Sequence, residues 1–137
     1  TLVWAQSPLS SPPDDNGETM IRQFYPLSPY LEAFSGVISA TGYNSFHELV
    51  MGYKGPVLLA PTNLERLDDQ VARATYAGDQ GWADVLYAAR PEEHGAIIED
   101  FMKRLRKGTL VTSRPGSFAD QSNMAAALDR LCNTYAI

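Results

Sequence analysis

The chain has 137 residues, 45 % hydrophobic and 20 % charged, with a formal net charge of −5, which suits one compact domain able to bury a core without disulfides or a structural metal. Its single cysteine, Cys132, forms neither a disulfide framework nor a CxxC metal site and reads as a small apolar residue on a helix face. An acidic chain with no basic stripe offers no track for nucleic-acid phosphates, and no run of about 18 apolar residues is present to span a membrane.

No charged-then-apolar leader opens the sequence, and Thr1 in place of Met suggests a piece of a longer protein. Leu2-Val3-Trp4-Ala5 reads as a short buried strand, followed by a loop from Gln6 to Gly17 rich in Pro and Asp. Ile21 to Tyr25 reads as a second strand. Ser28-Pro29 then opens a short helix, with Ser as cap and Pro in the first turn.

Gly36 to Ala40 is a continuous apolar run of the kind found in parallel strands covered on both faces. A helix from Ser45 to Met51 follows, with Phe46, Leu49 and Val50 on one side and Gly52 at its end. Gly55 to Ala60 is another buried strand. Asp68 caps a helix reaching about Gly78, and Asp84 to Tyr87 supplies a last strand.

The remainder reads as helical. Between Glu92 and Lys107 an apolar face gathers Ile97, Ile98, Phe101, Met102 and Leu105, with acids at the start and Arg104, Arg106 and Lys107 at the end. Ser117 and Asp120 cap a final helix carrying Phe118, Met124, Leu128, Leu131 and Tyr135. Arg114-Pro115-Gly116 is the turn between them. Alternating apolar strands and helices imply an α/β fold, a Rossmann-like parallel sheet with helices on both faces, in a single domain over 1–137. Such sheets bind ligands beyond the carboxyl ends of their strands.

Two connections meet that description. In Ser39-Ala40-Thr41-Gly42-Tyr43-Asn44-Ser45 a buried strand runs straight into a helix. Gly42 permits a tight turn and a close ligand, and free amides at the start of the helix suit an anion such as a diphosphate. The plain alternative is a turn glycine and an ordinary cap. Glu48, one turn beyond Asn44, can accept hydrogen bonds from a ribose; alone it would be a solvent-facing acid. His47 reads as a structural histidine or as a hydrogen-bonding residue near the cleft. The second connection ends in Asp68-Asp69-Gln70, whose acid and amide suit adjacent sugar hydroxyls, while Arg73 reads as pairing with a nearby acid.

Taken together, Ser39 to Leu49, Gly55-Pro56, Pro61, Asp69-Gln70 and Arg73-Ala74 resemble the C-terminal, nucleotide-sugar-binding domain of GT-B glycosyltransferases. The clan is that of the peptidoglycan lipid-intermediate GlcNAc transferase, plant galactolipid synthases and UDP-glucuronosyltransferases. The likeness covers roughly residues 20–83. It implies that Gly42, Asn44 and Ser45 hold the donor diphosphate, Glu48 the ribose, and Asp69 and Gln70 the hexose. It further implies that Phe24 and Tyr25 flank the base, although a core strand explains those two equally well.

The chain departs from the pattern at Ala40-Thr41-Gly42, where many relatives carry His-Gly-Gly or Arg-x-Gly, so this turn brings no basic side chain of its own. The resemblance implies transfer of a hexosyl group from a UDP-linked donor, with inversion, no metal and no cofactor, in a cytoplasmic setting. The acceptor-binding half and the catalytic base would then belong to another domain or subunit, leaving no catalytic residue in this segment. Three alternatives stand beside it: a non-catalytic or two-subunit donor-binding module, a nucleotide-sugar epimerase of similar fold, and an interaction domain without a ligand.

Overall fold

A computed structural model of the chain describes residues 1–6, 17, 19–24, 26–62 and 69–114. By their packing these fall into two compact units, Thr1–Phe34 and Ser35–Ile137. The final helix expected from Ser117, with Cys132 on it, lies outside the described residues, as does Asp68.

In the first unit, β1 (Leu2–Gln6) pairs in parallel with β2 (Thr19–Gln23), Leu2 opposite Thr19 and Gln6 opposite Gln23. The strand expected at the start is present but is not buried: Leu2 is 60 % and Trp4 44 % exposed. Its apolar composition signals extended backbone without ensuring cover, because a two-stranded sheet shields little of its own faces. Ser28–Ala33 is a 3-10 helix with Pro29 in its first turn. Leu27 rather than Ser28 occupies the capping position, and no side chain caps the turn. Leu31 is its buried residue.

The second unit carries β3 (Val37–Ser39), α1 (Tyr43–Gly52), β4 (Val57–Leu59), α2 (Gln70–Asp79), β5 (Asp84–Val85) and α3 (His94–Lys107), the last entered through a 3-10 turn at Pro91–Glu93. The strands form one parallel sheet in the order β3-β4-β5, with Val37 opposite Val57 and Leu58 opposite Asp84. Parallel strands alternating with helices make this an α/β fold, consistent with the expected Rossmann-like sheet. All three residues of β4 are buried. Since successive strand residues point to opposite faces, the centre of the sheet is covered on both sides. Burying Leu58 and Leu59 fully stabilises the fold by about 1.5–3 kcal/mol each.

The edge strand differs from expectation. Ile38 of β3 is 57 % exposed while Val37 and Ser39 are half-buried, so the run is not covered on both faces. An edge position leaves one side open, which continuous hydrophobicity alone does not reveal.

Helix α1 buries Phe46, Leu49 and Val50 as their spacing requires. It begins two residues earlier than the sequence suggested, because Gly42 takes the capping position. On α3, Phe101 is buried but Ile98 and Met102 are exposed, so the apolar face is narrower than its composition implied. Its basic last turn ends at Gly108, whose φ of 62° is left-handed and closes the helix with its amide on the carbonyls of Arg104 and Leu105.

Two sets of contacts fix α3 and the segment beyond it. A β-carbon on Gly36 would overlap Leu105 Cδ2 and stand 3.2 Å from Phe101 Cζ, so glycine admits the helix to the start of β3. After the helix, the Arg114 guanidinium donates to Trp82 O (2.8 and 2.6 Å), Tyr53 O (2.6 Å) and Gly55 O (2.9 Å). The turn arginine is therefore a clasp holding this segment to the chain ahead of β4. No helix among the described residues is long and apolar enough to cross a membrane.

Candidate functional site

A parallel sheet gathers the carboxyl ends of its strands at one edge, so the β3–α1 turn and the β4–α2 connection emerge together. They are bonded to one another. The Thr41 hydroxyl, fully buried, donates to the backbone carbonyl of Gln70 at 3.0 Å, with Gln70 Oε1 at 3.4 Å. Gln70 Oε1 also accepts the Thr62 amide at 3.3 Å. From one turn further along α2, Arg73 Nη1 donates to the Thr41 carbonyl.

The two helix starts at this edge are electrically unlike. At α2 the Asp69 carboxylate accepts the Ala72 amide at 2.9 Å and places a negative charge on the dipole's positive end. At α1 the cap is Gly42, no side chain caps the turn, and the first turn holds no acid. The first intrahelical bond runs from the Phe46 amide to Gly42 O, 2.9 Å. The amides of Tyr43, Asn44 and Ser45 precede it and have no partner within the helix. Of the two, α1 is the end that suits an anion.

Gly42 itself is informative. Its φ of −56° and ψ of 147° are open to any residue, and nothing lies within 4 Å of where a β-carbon would stand. The sequence expectation that glycine is needed for a tight turn is thus not the reason for it. Two reasons for glycine remain: it serves as the helix cap better than alanine would, and it leaves the backbone bare to close approach.

Along the same side of α1 runs a depression of about 540 Å³ lined by Tyr43, Asn44, His47, Glu48 and Met51. Asn44 and Glu48, four residues apart, stand one above the other on this face, opposite the buried Phe46, Leu49 and Val50. Asn44 near the helix tip and Glu48 one turn deeper thus line one depression. Exposed Ser45 sits at the tip and does not line the depression. The lining among the described residues comes from α1 alone.

The second constellation divides. Asp69 is exposed, and its carboxylate can accept further hydrogen bonds besides that from Ala72. Gln70 is only 7 % exposed, with its side-chain oxygen engaged as above. Phe24 belongs to the first unit, half-buried against Tyr30 (ring centroids 4.9 Å apart) and Phe34 (5.9 Å). Tyr25 lies outside the described residues.

Sequence reasoning did not foresee where Arg73 goes. Besides bonding Thr41 O it stands over the rings of Tyr43 and Phe46, 5.7 and 5.8 Å from their centroids. It brings to the turn a positive charge that Ala40-Thr41-Gly42 lacks. The available signal was its spacing: Gln70 and Arg73, three apart, share a helix face. Tyr43 and His47 likewise meet edge to face, centroids 4.4 Å apart, as a first-turn pair four residues apart. Compared with known proteins, the chain matches no family model, no curated protein and no solved structure.

Proposed function

We propose that this chain binds a nucleoside diphosphate sugar, UDP-linked, as the donor half of an inverting, metal-independent GT-B glycosyltransferase of the cytoplasm. The observation that carries the reading is the amino end of α1: amides with no side-chain cap and no acid in the first turn, a bare Gly42, and Asn44 and Glu48 lining one depression. The amides of residues 43 to 45 and the Asn44 side chain hold the diphosphate. Arg73 adds positive charge beside it. Glu48, roughly 6 Å further along the axis, accepts the hydroxyls of the ribose. Asp69, exposed at the neighbouring helix start, is the acceptor best placed for a hexose hydroxyl.

In the transfer, the bond between the anomeric carbon and the diphosphate oxygen breaks while an acceptor hydroxyl attacks from the opposite side. The departing diphosphate gains negative charge, and fixed amides with an adjacent guanidinium stabilise it without reorganising. The acceptor and its base come from another domain or subunit. A depression lined by α1 alone among the described residues fits a module completed in that way.

Titration of the chain with UDP, followed by NMR, tests the assignment. Glu48→Ala should weaken UDP by about tenfold, the scale of one net hydrogen bond, and should weaken 2′-deoxy-UDP less. Equal affinity of wild type and variant for UDP would remove Glu48 from the site.

A further inference from the structure

Resting on that donor reading, we propose that Gln70 is a positioning residue of the donor site and makes no contact with the transferred sugar. Its burial comes first: at 7 % exposure its side chain is turned into the protein, not toward the depression. Its bonds come second. The side-chain oxygen accepts the Thr62 amide and shares the Thr41 hydroxyl proton with its own backbone carbonyl. Thr41 is fully buried and immediately precedes Gly42, so whatever fixes Thr41 fixes the turn that launches α1.

The consequence is a clamp between the two connections. Thr41 is held from the side by Gln70 and from its carbonyl by Arg73, one turn along α2. Buried polar atoms bonded to one another resist displacement, because a shift that breaks the bonds leaves them unpaired in a low-dielectric interior. The clamp sets the direction in which the amides of residues 43 to 45 point. Gln70 therefore acts on diphosphate binding through Thr41 and Gly42, and it acts equally on any donor that shares the diphosphate.

The experiment compares UDP with UDP-glucose, by NMR titration of the 137-residue chain and its variants Gln70→Leu, Thr41→Val and Thr41→Ser. A positioning role requires Gln70→Leu and Thr41→Val each to weaken both ligands alike, by about tenfold, with the ratio of the two affinities unchanged. Thr41→Ser, which keeps the hydroxyl, should stay within about twofold of wild type, less than one net hydrogen bond. Loss of UDP-glucose affinity alone in Gln70→Leu would make Gln70 a sugar contact and overturn the proposal. Unchanged affinity for both ligands would overturn it too. If Gln70→Leu does not fold, Thr41→Val carries the same expectation.

Should wild type bind neither ligand, the donor reading falls, and amide exchange decides the clamp. Both variants should then speed exchange of the Phe46 amide by about tenfold relative to Leu58 and Leu59. Equal exchange in wild type and variants would dismiss the clamp.

Discussion

Replacing Gly42 by alanine separates a glycine kept for folding from one kept for a ligand. The backbone there (φ −56°, ψ 147°) is accessible to alanine, and the added methyl meets nothing within 4 Å. Two small effects on stability oppose each other. Reduced freedom of the unfolded chain stabilises by about 0.4–1 kcal/mol, and alanine is a poorer cap than glycine by roughly 0.5–1 kcal/mol. The sum lies near zero, so the melting temperature should move by no more than about 4 °C. Binding should respond very differently. A methyl beside the amides of residues 43 to 45 pushes a phosphate oxygen out of hydrogen-bond range, and losing one charge-assisted bond costs about 1.5–3 kcal/mol. That corresponds to roughly 10- to 150-fold in UDP affinity. Thermal melts and UDP titrations on the same two samples decide the matter. Unchanged UDP affinity would refute the ligand explanation, and a loss of stability beyond about 2 kcal/mol would show that the fold needs this glycine after all.

Gly36→Ala should behave in the opposite way, because its β-carbon would overlap Leu105 and crowd Phe101; urea melts should show a loss of about 1–3 kcal/mol. Arg114→Met should destabilise by about 2–4 kcal/mol, since the carbonyls of Tyr53, Gly55 and Trp82 lose their donor. Arg114→Lys should recover little of this in the same melts, a single ammonium being unable to span all three. Burial raises the Tyr53 phenol above its ordinary value of 10.0, and Arg114 only partly offsets this. The protonated phenol thus favours the fold fully below pH 10, and that contribution is lost as pH climbs through the raised value. Melts of wild type and Tyr53→Phe should run parallel up to about pH 10 and diverge above it, the wild type losing more stability than the variant.

The parallel α/β character was legible because it is written in local pattern. Val57 to Leu59 is apolar throughout and is buried throughout; Phe46, Leu49 and Val50 recur at helical spacing and share a buried face. The paired placement of Asn44 and Glu48 was legible for the same reason, since helix geometry alone fixes it. Edge status was not. Ile38 and Leu58 read alike as sequence and stand opposite one another in the sheet. Yet Leu58 lies on the central strand and is fully buried, whereas Ile38 lies on a strand with one partner among the described residues and is exposed. The bonds of Gln70 and Arg73 to Thr41, and of Arg114 to Tyr53, were illegible because they join residues 29 to 61 apart in sequence; helix spacing put Gln70 and Arg73 on one face but did not name their partner. Gln70 in particular carries a side chain suited to sugar hydroxyls, and only its burial shows that the side chain is turned inward.

The central claim is that the open amino end of α1 receives a diphosphate, and the backbone amide spectrum of the chain under UDP titration tests it most directly. The amides of Tyr43, Asn44 and Ser45 should shift together and saturably, while that of Ala72, already bonded to Asp69, stays in place. Silence at residues 43 to 45, with the shifts gathered elsewhere on the chain, would contradict the account.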